Sequence, residues 1–390
     1  MSKRIHIPDF EANWMWPRRM NPHTEEIRQE CQDWAASFGA FTPKAQRAFD
    51  KCDFALLAGL SYPWLTKEQL RTGCELMNVF FMFDEHSDKC SAAEVWEQVD
   101  ILMDAVGDPT KPRPEGEWVG GEIVRQFWVR AIAGSSKSFQ RRFLQTWEEF
   151  LHGTAQQAED RCCSYIRDFD SYMQVRRRTV GTLPSFRVLE MALEIPDEVI
   201  EHAVIQELEL LATDLTIFSN DILSYPKESA NNDSDHNLVT IAMSEHGFDV
   251  QGAVDWIGSL HARAVRRFNQ LYGVIPRWGG PVDLDVQSYL NGVAHFTVGN
   301  VHWSFESSRY FGVRGLEVKE SRQMHLLPMP MPPGPLSQRS KAKGDGRGKM
   351  AGESTTSCHQ AIGPIVMDED AVMRSQAATI LKGREKVLCG

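Results

Sequence analysis

Residues 208–228 join a strongly apolar run to oxygen-bearing side chains at helical spacing. Residues 208–218 predict a buried helix, and Asn220, Ser224 and Glu228 follow at i, i+4 and i+8. On a helix these three positions stack along one face. A plain solvated helix face is the alternative. It has no need of Pro226, which removes a backbone donor and is expected to disturb the helix.

The three side chains on this face offer an amide oxygen, a hydroxyl and a carboxylate. Hard oxygen ligands suit Mg²⁺ rather than zinc or copper. Because Mg²⁺ is usually held by one or two carboxylates plus substrate phosphates, the pattern indicates a diphosphate substrate. Lys227 lies beside the face, where its ammonium group could meet a phosphate as a point charge.

A second acidic cluster follows the aromatic run 80–83. Asp84 and Asp88 are one helical turn apart, and Glu85 lies next to them. Like charges at this spacing destabilise a helix, and carboxylates at the end of a buried helix are costly unless paired or metal-bound. The alternative is a solvated helix end, but acids there oppose the macrodipole. His86 is interpreted as a bystander, because no cysteine or second histidine stands at zinc spacing.

Two oxygen-rich clusters after apolar helices predict a polynuclear Mg²⁺ site at the mouth of a hydrophobic cavity. With these residues the chain resembles the class I terpene synthases, specifically the sesquiterpene synthases of mushroom-forming fungi. Residues 84–88 match an Asp-Glu-x-x-Asp motif, and residues 220–228 match Asn-Asp-x-x-Ser-x-x-Lys-Glu. Residues 309–310 resemble a late Arg-Tyr pair, and 172–186 resemble the segment with the diphosphate-sensing arginine. The resemblance covers roughly residues 5–314.

The resemblance implies a single-domain helical bundle around a hydrophobic active-site cavity. It also implies three Mg²⁺ ions, for which Mn²⁺ could substitute. The implied metal ligands are Asp84 (binding two ions), Glu85 and Asp88, with Asn220, Ser224 and Glu228 for the third ion. The implied catalytic residues, which also bind the diphosphate, are Arg176, Lys227, Arg309 and Tyr310.

Three consecutive arginines leave the sensor open. Arg176 fits best, because Thr179 and Gly181 follow at the family's usual spacing, and Arg177 is the alternative. A basic helix end that compensates the macrodipole would explain the same residues. Gly181 and Pro184 predict a helix break.

The cavity wall should include aromatic rings near the metals. Phe80 and Phe81 lie about one turn before Asp84, so one or both should face the cavity. An aromatic face stabilises a cation by roughly 0.5–2 kcal/mol. Phe54, Phe218 and Trp303 are weaker candidates, and core packing is the favoured interpretation for these three.

Helical periodicity dominates the chain and predicts an all-α fold. The predicted helical stretches are 44–59, 66–83, 93–106, 138–159, 198–223 and 249–274. A net charge of −11, with no basic stripe in the helical part, argues against nucleic acid as a partner. Eight scattered cysteines do not predict a disulfide framework. With neither a targeting nor a membrane-spanning segment, we expect a soluble cytoplasmic monomer or homodimer without membrane insertion.

The predicted domains are an N-terminal strap over 1–25, a terpene synthase α-domain over 26–315 and a mostly disordered tail over 316–390. Pro, Gly and basic residues crowd 328–350. Such a composition cannot offset its ordering entropy. Disorder is expected from about 318 to 365, with a short helix around 368–386. Truncation after residue 316 is therefore expected to leave activity largely unchanged.

Several activities fit these motifs. The resemblance favours cyclisation of farnesyl diphosphate, and residues 16–19 and 81–86 resemble the 1,11-cyclising subgroup that makes humulyl-derived products such as protoilludene. A cyclase of geranyl or geranylgeranyl diphosphate is an alternative. A chain-elongating prenyltransferase would carry an aspartate-rich motif in both halves, which this chain does not. An inactive helical scaffold would be expected to have lost a ligand, and every expected ligand is present.

Overall fold

A computed structural model of the chain describes residues 4–327, and helices make up most of that region. The predicted all-α fold is confirmed. The first helices are α1 (Thr24–Ser37), α2 (Pro43–Asp50), α3 (Phe54–Ser61), α4 (Lys67–Ser87), α5 (Ala92–Gly107), α6 (Gly120–Ile132), α7 (Lys137–Cys162) and α8 (Phe169–Thr179). They are followed by α9 (Thr182–Val188), α10 (Asp197–Ile200), α11 (Ala203–Ala230), α12 (Leu238–His246), α13 (Val250–Tyr272), α14 (Gly280–Glu306) and α15 (Gly315–Ser321). A 3₁₀ helix covers Gly312–Arg314, and two short strands are β1 (Arg4–His6) and β2 (Gln323–His325).

Two predicted helices are each divided in the structure. The stretch 44–59 forms α2 and α3, because Asp53 adopts a left-handed backbone (φ 53°) and caps α3 by accepting from Leu56 N at 3.0 Å. The stretch 198–223 begins as the four-residue α10 and restarts at α11. Local capping groups, rather than apolar periodicity, set these boundaries.

Pro226 lies inside α11, which continues to Ala230. The helix therefore does not end at the proline, although one backbone donor is lost there. α11 packs against α13 and α14, so its stability comes mainly from tertiary contacts. Because of this packing, the Asn220–Glu228 stretch remains part of one continuous helix.

The core lies between α3, α4, α7, α11 and α14. Trp147, Tyr289 and Trp303 are among its fully buried side chains. Gly299 allows α14 to approach α3, because a Cβ at this position would lie 2.7 Å from the Leu60 carbonyl carbon. The close crossing fixes the position of the C-terminal end of α14.

The two ends of the described region pair with each other. β1 and β2 are antiparallel, with Ile5 opposite Met324, and both side chains are fully buried. The expectation of disorder from about residue 318 is therefore wrong for residues 318–327, and the ordered region extends past the predicted end at 315. Buried apolar groups such as Val318 explain the difference. The rest of the predicted tail, including the proposed helix at 368–386, lies outside the described residues.

Residues 4–23 precede α1 and run mostly without regular structure. Trp14 and Trp16 pack against the Phe268 ring at 4.8 and 5.4 Å between ring centroids. Trp16 also donates to Asn291 Oδ1 of α14 at 2.9 Å. Within the described part of the chain, no helix combines the length and the apolar character needed to cross a membrane.

Candidate active site

One cavity of about 360 Å³ is lined by residues of α3, α4, α7, α8, α9, α11 and α14 and of the segment after α14. Its apolar part includes Leu57, Met77, Phe150 and Phe296. Of the predicted site residues, it brings together Phe80, Phe81, Asp84, Glu85, Asp88, Arg176, Asn220, Lys227, Glu228, Arg309 and Tyr310. The two oxygen-donor clusters thus share one cavity.

Ser224 is the predicted site residue that does not line this cavity. It is fully buried in α11, and Asn237 Nδ2 lies 3.4 Å from its Oγ. Its hydroxyl also hydrogen-bonds to Glu228, and Asn237 donates to Glu228 Oε2 at 2.8 Å. Ser224 therefore lies behind the exposed edge of the cluster, in contact with one of its members.

The aspartate-rich cluster ends α4, where the carboxylates crowd one another. Burial raises the pKa of Asp88 to about 8, with further contributions from Asp84 and Asp233. Half of the Asp84 side chain is reached by solvent. Desolvation by the surrounding protein nevertheless raises its pKa, despite the opposing effect of Arg309.

Two cations face this cluster. Arg309 Nη2 lies 3.7 Å from Asp84 Oδ2, and Arg309 Nη1 lies 3.7 Å from Glu85 Oε1. Arg161, which the sequence reading missed, lies 3.2 Å from Asp88 Oδ1. His86 packs against the Phe41 and Trp118 rings and does not line the cavity.

The second cluster is oriented by hydrogen bonds across the cavity mouth. Asn220 Oδ1 accepts from Arg176 Nη2 at 2.7 Å, and Asn220 Nδ2 donates to Tyr310 Oη at 3.1 Å. Burial, together with the neighbouring Asp221, raises the pKa of Glu228 to about 7. Burial lowers the pKa of Lys227, and the neighbouring Arg309 adds to this shift.

These donors suit a divalent cation. Carboxylates with raised pKa values are destabilised in their charged form, and a bound cation would stabilise that form. Within residues 4–327, no three acidic, histidine or cysteine side chains are already gathered as a metal site.

The structure separates the three arginines at the end of α8. Arg176 lines the cavity and pairs with Asp221 at 3.0 Å. Arg177 turns away and pairs with Asp214 through contacts of 2.7 and 2.8 Å. The predicted helix break is present, because Gly181 has a left-handed backbone (φ 76°) between α8 and α9.

Asp221 is a buried positioning group that the sequence reading missed. Its carboxylate accepts from Tyr172 Oη, from Arg176 Nε at 3.1 Å and from Leu238 N at 3.0 Å. It thereby fixes Arg176 beside Asn220. The position of Asp221 next to Asn220 in the motif was the only sequence feature that pointed to this role. Spacing alone did not show in which direction the Asp221 side chain points.

Residues 231–236 supply further cavity groups that sequence reasoning did not select: Asn231, Asp233 and His236. Burial lowers the pKa of His236 well below its usual value, and Arg176 and Arg167 lower it further. The polar composition of this loop, directly after the metal motif, was the only signal.

Both predicted aromatic residues line the cavity. Phe80 packs against Phe150 at 4.7 Å between centroids, and the Arg309 guanidinium lies 4.5 Å from the Phe81 centroid. The weaker candidates Phe54, Phe218 and Trp303 are buried in the core and do not line the cavity. Core packing, the favoured interpretation for those three, agrees with the structure.

Comparison with known proteins gives one matching family model and relatives of the same kind. A family model described as terpene synthase family 2, C-terminal metal binding, matches residues 75–267. A delta(6)-protoilludene synthase of Stereum hirsutum is 48% identical over 328 residues, covering 84% of this chain and 89% of the relative. A delta(6)-protoilludene synthase of Armillaria gallica is also 48% identical over 328 residues, covering 84% and 95%.

A solved structure has the same fold. The crystal structure of an α-eudesmol synthase has a TM-score of 0.68 at 21% identity, covering 75% of this chain and 98% of the solved one. The oxygen donors at the cavity mouth suit the divalent cation that a metal-binding family requires. The chain therefore belongs to the terpene synthase family.

Proposed function

We propose that the protein is a sesquiterpene synthase that ionises farnesyl diphosphate, cyclises the cation and releases diphosphate. The observation that carries this proposal is the shared cavity, where Asp84 and Asn220 stand at the mouth of an apolar pocket. The names of the two protoilludene synthases support a 1,11-cyclisation that ends in delta(6)-protoilludene.

The proposed cofactor is Mg²⁺, with three ions held by the two clusters. Asp84, Glu85 and Asp88 would hold two of them. Asn220, Ser224 and Glu228 would hold the third. Bound Mg²⁺ would neutralise the diphosphate and stabilise the charge that develops on the leaving group. To reach the ion, Ser224 would have to give up its hydrogen bond with Asn237. At 3.4 Å this hydrogen bond is long and therefore weak.

The diphosphate would be bound by Arg176, Lys227, Arg309 and Tyr310. Among residues 4–327, nothing accepts a hydrogen bond from the buried Nε of Arg309. The Arg309 guanidinium is nine-tenths buried beside Asp84 and has one donor without an acceptor. It is therefore suited to bind an oxygen of a diphosphate held at the Asp84 cluster. Fixed donors of this kind stabilise a leaving anion without reorganisation.

The hydrocarbon chain would occupy the apolar part of the cavity. Phe80, Phe81, Phe150 and Phe296 line it with aromatic rings. Each ring face stabilises a passing carbocation by roughly 0.5–2 kcal/mol. The same wall excludes water, which would otherwise quench the cation as an alcohol.

Incubation of the full chain with geranyl, farnesyl or geranylgeranyl diphosphate and Mg²⁺ tests this proposal. Gas chromatography of the volatile products should show a sesquiterpene hydrocarbon from farnesyl diphosphate, and Asp84→Asn should remove it. A dominant product from the C10 or C20 substrate would contradict the substrate assignment. No hydrocarbon from any substrate would contradict the cyclase itself.

A further inference from the structure

Arg309 and Tyr310 lie on the eight-residue connection 307–314 between α14 and α15, where only the short 3₁₀ helix is regular. A connection of this length does not fix two side chains by itself. Ser308 N donates to Lys51 O at 3.4 Å, which is one weak anchor. Arg309 itself has long 3.7 Å contacts with Asp84 and Glu85 and a stacking contact with Phe81, so how both ends of this connection are held also affects its position.

The C-terminal end of the connection folds back onto α14. A Cβ on Gly315 would lie 1.8 Å from the Phe305 carbonyl oxygen, so only glycine allows this approach. Beyond it, β2 pairs with β1, and Ile7 N donates to Arg322 O at 3.0 Å. We call α15 and the β1–β2 pair the clasp.

Charged groups join the clasp to the strap and to α14. Lys319 Nζ of α15 lies 2.7 Å from Glu11 Oε2 of the strap. Glu11 Oε1 lies 2.8 Å from His302 Nε2 of α14, and His302 Nδ1 lies 3.0 Å from Glu306 Oε1. Arg18 of the strap contacts the same Glu306 at 2.7 Å. The chain of contacts thus spans both sides of the 307–314 connection.

We propose that the clasp holds Arg309 and Tyr310 at the cavity mouth, so that Lys319, Glu11 and His302 are positioning residues for diphosphate binding. The inference rests on the proposed function, in which Arg309 binds diphosphate. A guanidinium held in place before the ligand arrives loses less conformational entropy on binding. None of the three positioning residues lines the cavity.

Titration of full-length variants with inorganic pyrophosphate and Mg²⁺ tests the clasp. Lys319→Met should weaken pyrophosphate binding about tenfold, because a charge-assisted contact is lost. Lys319→Arg should restore the wild-type affinity. Glu317→Gln is the matched control, since Glu317 is exposed on the same helix. Thermal melts confirm that each variant is folded, and Glu11→Gln replaces Lys319→Met if that variant does not fold.

Measuring Lys319→Met both in wild type and in an Arg309→Ala variant tests whether Lys319 positions Arg309 or only stabilises the fold. In Arg309→Ala, which should itself weaken binding, Lys319→Met should cause a much smaller loss than in wild type, because only Tyr310 remains to be positioned. Equal losses in both backgrounds, or wild-type binding by Lys319→Met, would overturn the clasp. Wild-type binding by Arg309→Ala would instead overturn the role of Arg309 in the proposed function, and the clasp inference with it.

Discussion

At the scale of single residues, the arginine run shows what sequence spacing can and cannot decide. Arg176 and Arg177 are adjacent and chemically identical, so only their direction on α8 distinguishes them. Family spacing favoured Arg176, and the structure turns it toward Asn220 while Arg177 meets Asp214. Asp214 lies 37 positions downstream, which is why no local pattern identified this pairing.

A pair of matched substitutions tests this distinction. Arg176→Lys should weaken pyrophosphate binding in Mg²⁺ by about tenfold or more, because lysine cannot reproduce bidentate contacts. Arg177→Lys is the control and should leave binding near the wild-type value. Calorimetric titration measures both, and a larger loss for Arg177→Lys would reverse the assignment.

At the scale of elements, α9 is held by a buried charged network. Arg187 contacts Glu190 and Glu209 at 2.5 Å each, and Tyr289 donates to Glu209 at 2.5 Å. Each of these side chains is at most 6% exposed. The network ties α9 to α11 and α14, and so supports the break at Gly181 beside the cavity. Sequence reading missed it because its members lie on three separate helices and in the turn after α9.

Removing one member should leave uncompensated buried charge. Arg187→Met is expected to lower the free energy of unfolding by about 3–5 kcal/mol. Arg267→Met, which breaks a surface pair with Glu207, is the control and should cost less than about 1 kcal/mol. Denaturant unfolding measures both, and equal losses would show that the buried network has no special weight.

The contacts around His302 predict a pH dependence of stability. Burial opposes the charged ring, but hydrogen bonds to Glu11 and Glu306 outweigh it and raise the pKa of His302. The hydrogen bond to His302 is the main cause that lowers the pKa of Glu11 to about 2. Burial opposes the shift at Glu306, yet contacts with His302 and Arg18 lower its pKa to about 2.

Because the pKa of His302 is higher in the folded state than in the unfolded state, protonation of its ring stabilises the fold. This contribution is complete below pH 6.5 and is lost as the pH rises through the folded-state pKa. Glu11 and Glu306, whose pKa values are lowered, stabilise the fold above pH 4.5, and this contribution is lost as the pH falls toward 2. The melting temperature of His302→Gln should therefore differ most from wild type between about pH 4.5 and 6.5. A difference that stays constant up to pH 9 would contradict this account.

At the scale of the whole molecule, helical periodicity and two motifs predicted the fold class and the elements that carry the site. Two kinds of feature were out of reach. Helix boundaries such as the one at Asp53 depend on capping groups and a left-handed backbone. The pairing of Ile5 with Met324 joins the two ends of the described region, whose short apolar segments carry no periodic signal. The composition of 328–350 led to a tail boundary that was drawn too early.

The central claim is that two donor faces 136 positions apart share cations in one cavity (220 − 84). Calorimetric titration of inorganic pyrophosphate, with and without Mg²⁺, tests it most directly. Wild type and the exposed control Asp100→Asn should bind tightly only with Mg²⁺, and Asp84→Asn and Asn220→Ala should each weaken that binding at least about tenfold. Mg²⁺-independent binding, or a loss in only one of the two variants, would contradict the claim.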